Sequence, residues 1–465
     1  MQLSATQLAC VEFCLDPARR IVAVTGQAGT GKTSIIKYIA EQLERGNVNF
    51  AVAAPTGKAA KRIREATGVG AVTVHKLLEY GRPDERDKDT GEALDTTTPK
   101  RGRNNPFSQN VILVDEYSMI THELHRNLID ALPREGRIIM FGDLSQLPPV
   151  EKYEIKNANG SPFKEMLARP NTAFQLTEVF RQAEGNDVLT AATAIRQGHI
   201  PRRGKNFIIH MTENPVDRLS DLVMAQLEAG IDYADITNQI LTPLRTRWIG
   251  TGPLNVMLRN LLNPNGSNEL SLIRHSWDEK NPVTVSTGDK VVCTENTYDM
   301  RDFSQRFTEW KDDGGPVLQS FIPTPETKYM LNGETGKIVD IYPDGGLEID
   351  FGDRTVEVPA MYEEWWEKKG VVIDNYPQKS IDLAYALTVH KAQGSEYKNV
   401  IYVMNSSVFF MLSRELFYTA ITRARDTAHL ISDQRALMTA LKKTQDQIEK
   451  QRRDNAAKKG SLVKS

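Results

Sequence analysis

Short apolar runs rich in Val and Ile, each followed by a turn and then by a segment of helical period, fill the first third of the chain. Ile21-Val22-Ala23-Val24, Ala51-Val52-Ala53, Val111-Ile112-Leu113-Val114 and Arg137-Ile138-Ile139-Met140-Phe141 are apolar almost throughout, as strands covered on both faces of a parallel sheet are. Strands and helices alternating in this way predict a doubly wound α/β sheet, which takes its ligands at the carboxyl ends of its strands. Between Tyr80 and Asn110 the period breaks into Gly, Pro, Asp, Arg, Lys and Thr, too long a stretch for a simple connection, so a hairpin-like insertion is expected there. Apolar periodicity returns from Val188 to Leu262, with Gln239-Ile240-Leu241-Thr242-Pro243 as a further buried strand. From Val283 to Gln378 the runs shorten and alternate: Lys290-Val291-Val292-Cys293, Gly336 to Ile341 and Leu347 to Phe351 predict a small β-barrel. The α/β pattern resumes at Asp382-Leu383-Ala384-Tyr385-Ala386, so the β module is expected to interrupt a second α/β domain.

The expected boundaries are 1–186 for the first domain, with its insertion at about 80–110; 187–282 plus 379–440 for the second; 283–378 for the β insertion; and 441–465 for a basic, solvated tail. Trp365-Trp366 falls in a charged, helix-like stretch and reads as packing. A chain of 465 residues, 40% hydrophobic and 25% charged, fits several globular units. No apolar run approaches the roughly 20 residues of a membrane span, and the start lacks a charged, apolar leader, so a place in the cytoplasm without membrane partners is expected. Cys10, Cys14 and Cys293 fit small core residues better than disulfides or metal ligands. The formal net charge of −2 excludes bulk attraction to nucleic acid, so any phosphate-binding surface has to be a local groove.

Candidate chemistry sharpens this picture. Gly26-Gln27-Ala28-Gly29-Thr30-Gly31-Lys32-Thr33 matches G-x-x-x-x-G-K-[ST] directly after a strand and before a helix. Gly26, Gly29, Thr30 and Gly31 let backbone N–H groups wrap phosphates, Lys32 neutralises their charge and Thr33 holds Mg²⁺. Val111 to Glu116 is an apolar strand ending in two carboxylates: Asp115 is suited to Mg²⁺ and Glu116 to polarising a water. ATP and Mg²⁺ are therefore the expected ligands. Gly142 to Val150 follows another strand and puts Gln146 where a γ-phosphate sensor would lie. Arg181, in Leu176 to Gln182, and Arg423, in Leu416 to Arg425, are candidate arginine fingers. For an isolated Arg such as Arg181 a surface salt bridge is an equally good reading. His122 and His125 lie three apart with no third ligand and read as surface residues rather than a metal site.

Pro55, Thr56 and Lys58 open a helix after a strand, so their donors can hold a nucleic-acid phosphate. His75 and Phe107 are candidate base stackers, with a core position equally open for Phe107. Thr388, His390, Gln393, Gly394 and Glu396 follow a strand at Asp382 to Leu387 and supply polar groups at its carboxyl end.

In their order, these motifs resemble those of superfamily-one DNA helicases of the RecD-like group, and the compact length is most like the phage Dda helicases. The resemblance runs from Gln7 through the Asp115-Glu116 pair and Arg181 to Thr419–Arg425. It implies two RecA-like domains, the first carrying a strand-separating hairpin and the second an SH3-like barrel. It implies that Gln7 reads adenine, that Gln146 and Arg181 sense the γ-phosphate, and that Arg423 is the finger. Gln393, Gly394 and Glu396 would face nucleotide, and Thr388 and His390 the DNA backbone. The implied activity is ATP-driven movement on single-stranded DNA, 5′ to 3′, with duplex separation, by a monomer in bacterial or phage-infected host cytoplasm. Its expected partners are fork DNA and a single-strand-binding, replication or recombination protein. An RNA helicase, or a remodelling translocase that does not separate strands, remains the alternative, because the ATP motifs do not read the sugar.

Overall fold

In the computed structural model the described residues are 3–81, 97–149, 151, 161–178, 186–272, 283–300, 328–343, 345–359, 362–366, 371–375, 377–448 and 450–451. The chain divides into two compact units, Met1–Leu219 with Leu241–Arg245 and Thr388–Ser465, and Ser220–Ile240 with Thr246–Leu387.

The first unit contains a six-stranded sheet: β1 (Ile21–Gly26), β2 (Phe50–Ala54), β3 (Ala71–Thr73), β4 (Val111–Val114), β5 (Arg137–Gly142) and β6 (Ala173–Leu176). The order is β3-β2-β4-β5-β1-β6, and every neighbouring pair is parallel. Alternation along each strand sorts the apolar side chains to two faces. On one face Val22, Val24, Leu113, Ile139 and Phe141 meet α1 (Ala5–Leu15), α2 (Lys32–Arg45) and α3 (Gly57–Thr67) through Cys10, Cys14, Ile35, Ile39 and Ile63. On the other, Ala23, Ile112, Val114, Ile138 and Met140 pack on Tyr117, Leu128, Phe163 and Met166. Both faces are dry, which is why these strands are apolar at nearly every position. Cys10 and Cys14 lie one helical turn apart and fully buried, as small core residues.

The same unit holds a second set of parallel strands, Tyr397–Val403 beside Ala424–Ser432 beside Phe207–Met211. Helices Asp187–Arg196, Arg414–Ile421 and Gln434–Lys442 accompany them. The expected pair of parallel α/β cores is therefore present. Of the insertion expected at about 80–110, residues 82–96 lie outside the described residues; the returning stretch is anchored by a Tyr80–Pro99 bridge and by Arg101, whose guanidinium donates to Glu79 at 2.6 Å.

The second unit carries an antiparallel sheet of order Thr355–Val358, Leu347–Asp350, Thr335–Ile341, Lys290–Cys293, Ile381–Leu383. The strands expected at Lys290, Gly336 and Leu347 are all there. Trp365-Trp366, expected in a helix, instead end a strand, Tyr362–Trp366, paired with Val371–Asn375; the β-branched run Val371-Val372-Ile373 offers it a partner that helical charge spacing did not reveal. Of the tail, residues 452–465 lie outside the described residues.

Asp289, with no solvent exposure, ties this unit together. Its carboxylate accepts from Arg259 Nε (2.9 Å), Asn263 Nδ2 (2.7 Å), the Tyr385 hydroxyl (2.8 Å) and the Ser286 N–H (2.7 Å). Helix Thr251–Leu262, the hairpin at 286–289 and the strand approaching Tyr385 thus share one buried anion. Asp289→Ala leaves Arg259 and three further donors without their acceptor. The expected cost is about 3–5 kcal/mol, read as an earlier unfolding transition by calorimetry and as faster amide exchange over 290–293 and 335–341.

Candidate nucleotide site

β1 ends at Gly26, and the chain turns through 27–31 before α2 starts at Lys32. Gly29 (φ 84°) and Gly31 (φ 77°) are left-handed, a conformation costing any other L-residue roughly 1–2 kcal/mol. Gly31 caps α2 without a side-chain hydrogen bond, so the helix's first N–H groups and its dipole face the loop unscreened, as an anion site requires. The Gln27 carbonyl is the hub of the loop. It accepts from Thr30 N–H (3.3 Å), Thr30 Oγ1 (2.9 Å) and Lys32 Nζ (3.1 Å), while Lys32 also donates to the Gly26 carbonyl at 2.6 Å. A Cβ on Gly26 would stand 2.5 Å from Thr30 Oγ1. Thr33, half-buried, follows Lys32 on the first turn of α2.

Gln7 reaches this loop from α1. Its Oε1 accepts from Ser4 N–H and its Nε2 donates to the Thr30 carbonyl at 3.3 Å. Both ends of the amide are thus engaged within the protein. Ser4, which caps α1, donates through its hydroxyl to Glu178, and Thr6 does the same.

β4 delivers Asp115 and Glu116, both buried. Glu116 takes a left-handed backbone (φ 50°, ψ 38°), and its N–H donates to Asp115 Oδ1 at 2.8 Å. Burial, and then the neighbouring Glu116 carboxylate, raise the Asp115 pKa to about 6 against the opposing pull of Lys32 and Arg62. Glu116 Oε2 is buried with no donor among the described residues. β5 delivers Asp143 and Gln146; Gln146 is 5% exposed, and its Oε1 likewise has no donor. Two buried acceptors without donors among the described residues, beside an anion-ready loop and a carboxyl raised by burial and by its neighbouring carboxylate, fit a divalent cation and an attacking water.

The late motifs converge on the same loops. Tyr418 donates to Asp143 Oδ2 (2.8 Å) and accepts from Ala28 N–H (3.3 Å), and Thr419 Oγ1 accepts from Leu147 N–H (3.0 Å). Gln393 Nε2 donates to the Leu147 carbonyl at 3.2 Å. Gly394 (φ 74°) lies against α3, its Cβ position 3.3 Å from Ala59 Cβ and 3.4 Å from Thr56 Oγ1. Glu396 pairs with Arg62 of α3 at 2.6 Å. Arg423, 3% exposed, donates to the carbonyls of Thr419 and Ser395 and to Thr422 Oγ1. Its three hydrogen bonds stay within the C-terminal segment, two residue positions from a helix that touches the phosphate loop. Arg181 lies outside the described residues.

Among the residues expected to meet nucleic acid, Pro55, Thr56 and Lys58 sit at the start of α3. Thr56 caps that helix through Ala59 N–H (3.2 Å), and the Lys58 ammonium lies 5.1 Å from the Tyr397 ring centroid. His75 is exposed, its ring 5.1 Å from that of Tyr80. Thr388 accepts from Lys391 N–H at 3.2 Å, closing the turn that carries half-buried His390. Phe107 is 4% exposed and belongs to the core under the sheet, so of its two readings the structure has the core one: no ring face is left for a base. His122 is not a surface residue. It is 8% exposed, and its Nδ1 and backbone N–H both bond to the Glu151 carboxylate, a partner 29 residues on that no local pattern announces.

Three contributors went unnoticed in the sequence. Arg62 and Tyr418 have no spacing that singles them out. Arg196, at the end of helix Asp187–Arg196, faces the Gln27 side chain, with the amide oxygen 3.1 and 2.9 Å from its two terminal nitrogens in the amide orientation that satisfies both groups.

Residues 2–213 match the family model of an AAA domain, and residues 383–431 that of a UvrD-like helicase C-terminal domain. The chain is 32% identical over 411 residues to the ATP-dependent RecD2 DNA helicase of Deinococcus radiodurans, a match covering 88% of this chain and 46% of that protein. It is 24% identical over 459 residues to the RecBCD enzyme subunit RecD of Mycolicibacterium smegmatis, covering 91% of this chain and 70% of the subunit. Its fold is like that of Pif1 helicase from Bacteroides in complex with ADP-AlF3 and ssDNA, with a TM-score of 0.56, 19% identity and 98% of each chain covered. Pif1 helicase from Candida albicans is similar at a TM-score of 0.53 and 19% identity, over 98% of this chain and 99% of that one. The chain thus spans about half the length of its Deinococcus relative, and over most of its own length it is similar to RecD2 and RecD proteins.

Proposed function

We propose that the chain is an ATP-dependent DNA helicase that moves 5′ to 3′ on single-stranded DNA and separates duplex at a fork. The observation that carries this reading is the meeting of segments 393–396 and 418–423 with the loops that hold Lys32 and Gln146. A kinase that merely shared the phosphate loop would have no need of it. The Deinococcus relative, named as an ATP-dependent DNA helicase, supports the choice of substrate. The reading takes 1–186, and 187–282 with 379–440, as two RecA-like lobes, and 283–378 as an SH3-like insertion. It also takes the protein as a cytoplasmic monomer that meets single-strand-binding, replication or recombination proteins at the fork.

In hydrolysis Lys32 leaves the Gly26 and Gln27 carbonyls for phosphate oxygens, joined by the free N–H groups of α2. Thr33 and Asp115 would hold Mg²⁺, which would supply positive charge to the phosphates in hydrolysis. Glu116, through its unpartnered Oε2, orients the attacking water and takes its proton; Gln146 Oε1 fixes the water's other hydrogen. Arg423 exchanges the Thr419 and Ser395 carbonyls for the γ-phosphate, and Arg181 is assigned to sensing the same phosphate. Gln7 frees its amide for adenine, and Gln393, Gly394 and Glu396 line the nucleotide. Pro55, Thr56, Lys58, His75, Thr388 and His390 hold the strand. Stepping one base pair costs about 1.4 kcal/mol, well within one hydrolysis.

Lys32→Ala is expected to lower DNA-stimulated hydrolysis by at least about 100-fold while leaving single-stranded DNA affinity within about threefold. Parent protein should displace the strand from a fork with a 5′ overhang and not from one with a 3′ overhang. Displacement only on matched RNA forks, or translocation without displacement, would replace the proposed activity by one of its alternatives.

Asp115 supplies a pH signature. Its carboxyl is raised in the folded protein, so the folded state prefers it protonated, and stability falls as pH rises from about 4 through about 6. Asp115→Asn should therefore stabilise the ligand-free protein at pH 7.5, by on the order of 1–3 kcal/mol, and the gain should vanish near pH 4. The same substitution should abolish the Mg²⁺ dependence of ADP binding. A melting series from pH 4 to 8 that shows a pH-independent difference would contradict this role.

A further inference from the structure

Gln27 and Ala28 occupy variable positions of the phosphate loop, where phosphate binding itself demands no particular side chain. Both are nevertheless held from far along the chain. The Ala28 N–H donates to the Tyr418 hydroxyl at 3.3 Å, and that hydroxyl donates in turn to Asp143 Oδ2 at 2.8 Å. With the Gln27 amide in the orientation that satisfies both groups, its oxygen accepts from both terminal nitrogens of Arg196, at 3.1 and 2.9 Å. Tyr418 is 1% exposed, and its pKa is raised by burial and by the Asp143 carboxylate, so it stays a neutral phenol able to donate and accept at once. Helices Asp187–Arg196 and Arg414–Ile421, which carry the two side chains, pack against each other.

The grip falls on a sensitive point. The Gln27 carbonyl is the acceptor that sets Thr30 and the resting place of Lys32. Asp143 and Leu147, which bond to Tyr418 and Thr419, flank Gln146. One helical segment therefore bears on the loop that binds phosphate and on the loop that carries the γ-phosphate sensor.

We propose that Tyr418 and Arg196 are positioning residues that hold the Gln27-Ala28 crest, so that the two packed helices carrying them set the affinity of the phosphate loop for nucleotide. The inference rests on the reading of 26–33 as the ATP site. Neither residue need touch nucleotide; each acts by keeping the cradle in its binding shape.

The test is titration of the full chain with a fluorescent ADP analogue in Mg²⁺, together with steady-state ATP hydrolysis. Tyr418→Phe, Arg196→Ala and Gln27→Ala are each expected to raise the dissociation constant about 3- to 10-fold, the effect of one lost hydrogen bond. KM for ATP should rise alike, with kcat changed by less than about threefold. Arg196→Ala should add nothing in the Gln27→Ala background, because the two remove the same contact, and Arg196→Lys, keeping one donor, should fall between. Dissociation constants within about twofold of the parent for Tyr418→Phe and Arg196→Ala, or additive effects of Arg196→Ala and Gln27→Ala, would overturn the inference. Lys32→Ala serves as the control: if it binds the analogue like the parent, the site reading itself fails, whereas if it alone loses binding, only the positioning role does.

Discussion

Parallel pairing of β4 with β5 and of β5 with β1 is the constraint on which the site depends. Strands running the same way end at the same edge, and neighbours lie about 4.8 Å apart, so three loops are delivered within roughly 10 Å of one another. β1 brings the phosphate loop, β4 the carboxylate pair and β5 the segment with Asp143 and Gln146. Each loop supplies what its neighbours lack: backbone donors and an ammonium, a pair of anions, and a neutral amide. An antiparallel arrangement would have sent β5's loop to the opposite edge.

The electrostatics of the resting site are those of a place prepared for something else. Two carboxylates share a buried corner, and burial, then the Glu116 charge, raises the Asp115 carboxyl above its ordinary range. Lys32 is parked on two loop carbonyls and Arg423 on two others. Each cation occupies a neutral acceptor that a phosphate oxygen would displace, since a full negative charge attracts a cation more strongly than a carbonyl dipole does. The rearrangement thus needs only exchanges of acceptor, not the opening of a packed core. The late helix Arg414–Ile421 takes part because Tyr418 and Thr419 already bond to the loops that would have to respond.

Much of this was legible in the residues, and the exceptions have physical causes. β1, β2, β4 and β5 announce themselves because both their faces are dry. β6, with two of its four residues exposed at the sheet edge, and β3, only three residues long, carry too little apolar signal. Lys32, Asp115 and Gln146 were readable because strand-end chemistry is local to each motif. Tyr418 on Ala28 and Arg196 on Gln27 join positions 390 and 169 residues apart, and one sequence holds no trace of such contacts. His122 shows the converse, a histidine amid polar neighbours that reads as exposed until the chain folds a glutamate over it, while Phe107, open to either reading, lies in the core. The pairing of Tyr362–Trp366 with Val371–Asn375 was hidden because Glu and Lys favour helices and are depleted in strands.

What remains decisive is the movement of one guanidinium. A structure of the chain with Mg²⁺, ADP and an aluminium fluoride mimic of the γ-phosphate reads it directly. Arg423 is expected to have left the carbonyls of Thr419 and Ser395, with a terminal nitrogen within about 3 Å of the mimic. A bound mimic with all three present Arg423 hydrogen bonds intact would contradict a finger donated from the late segment.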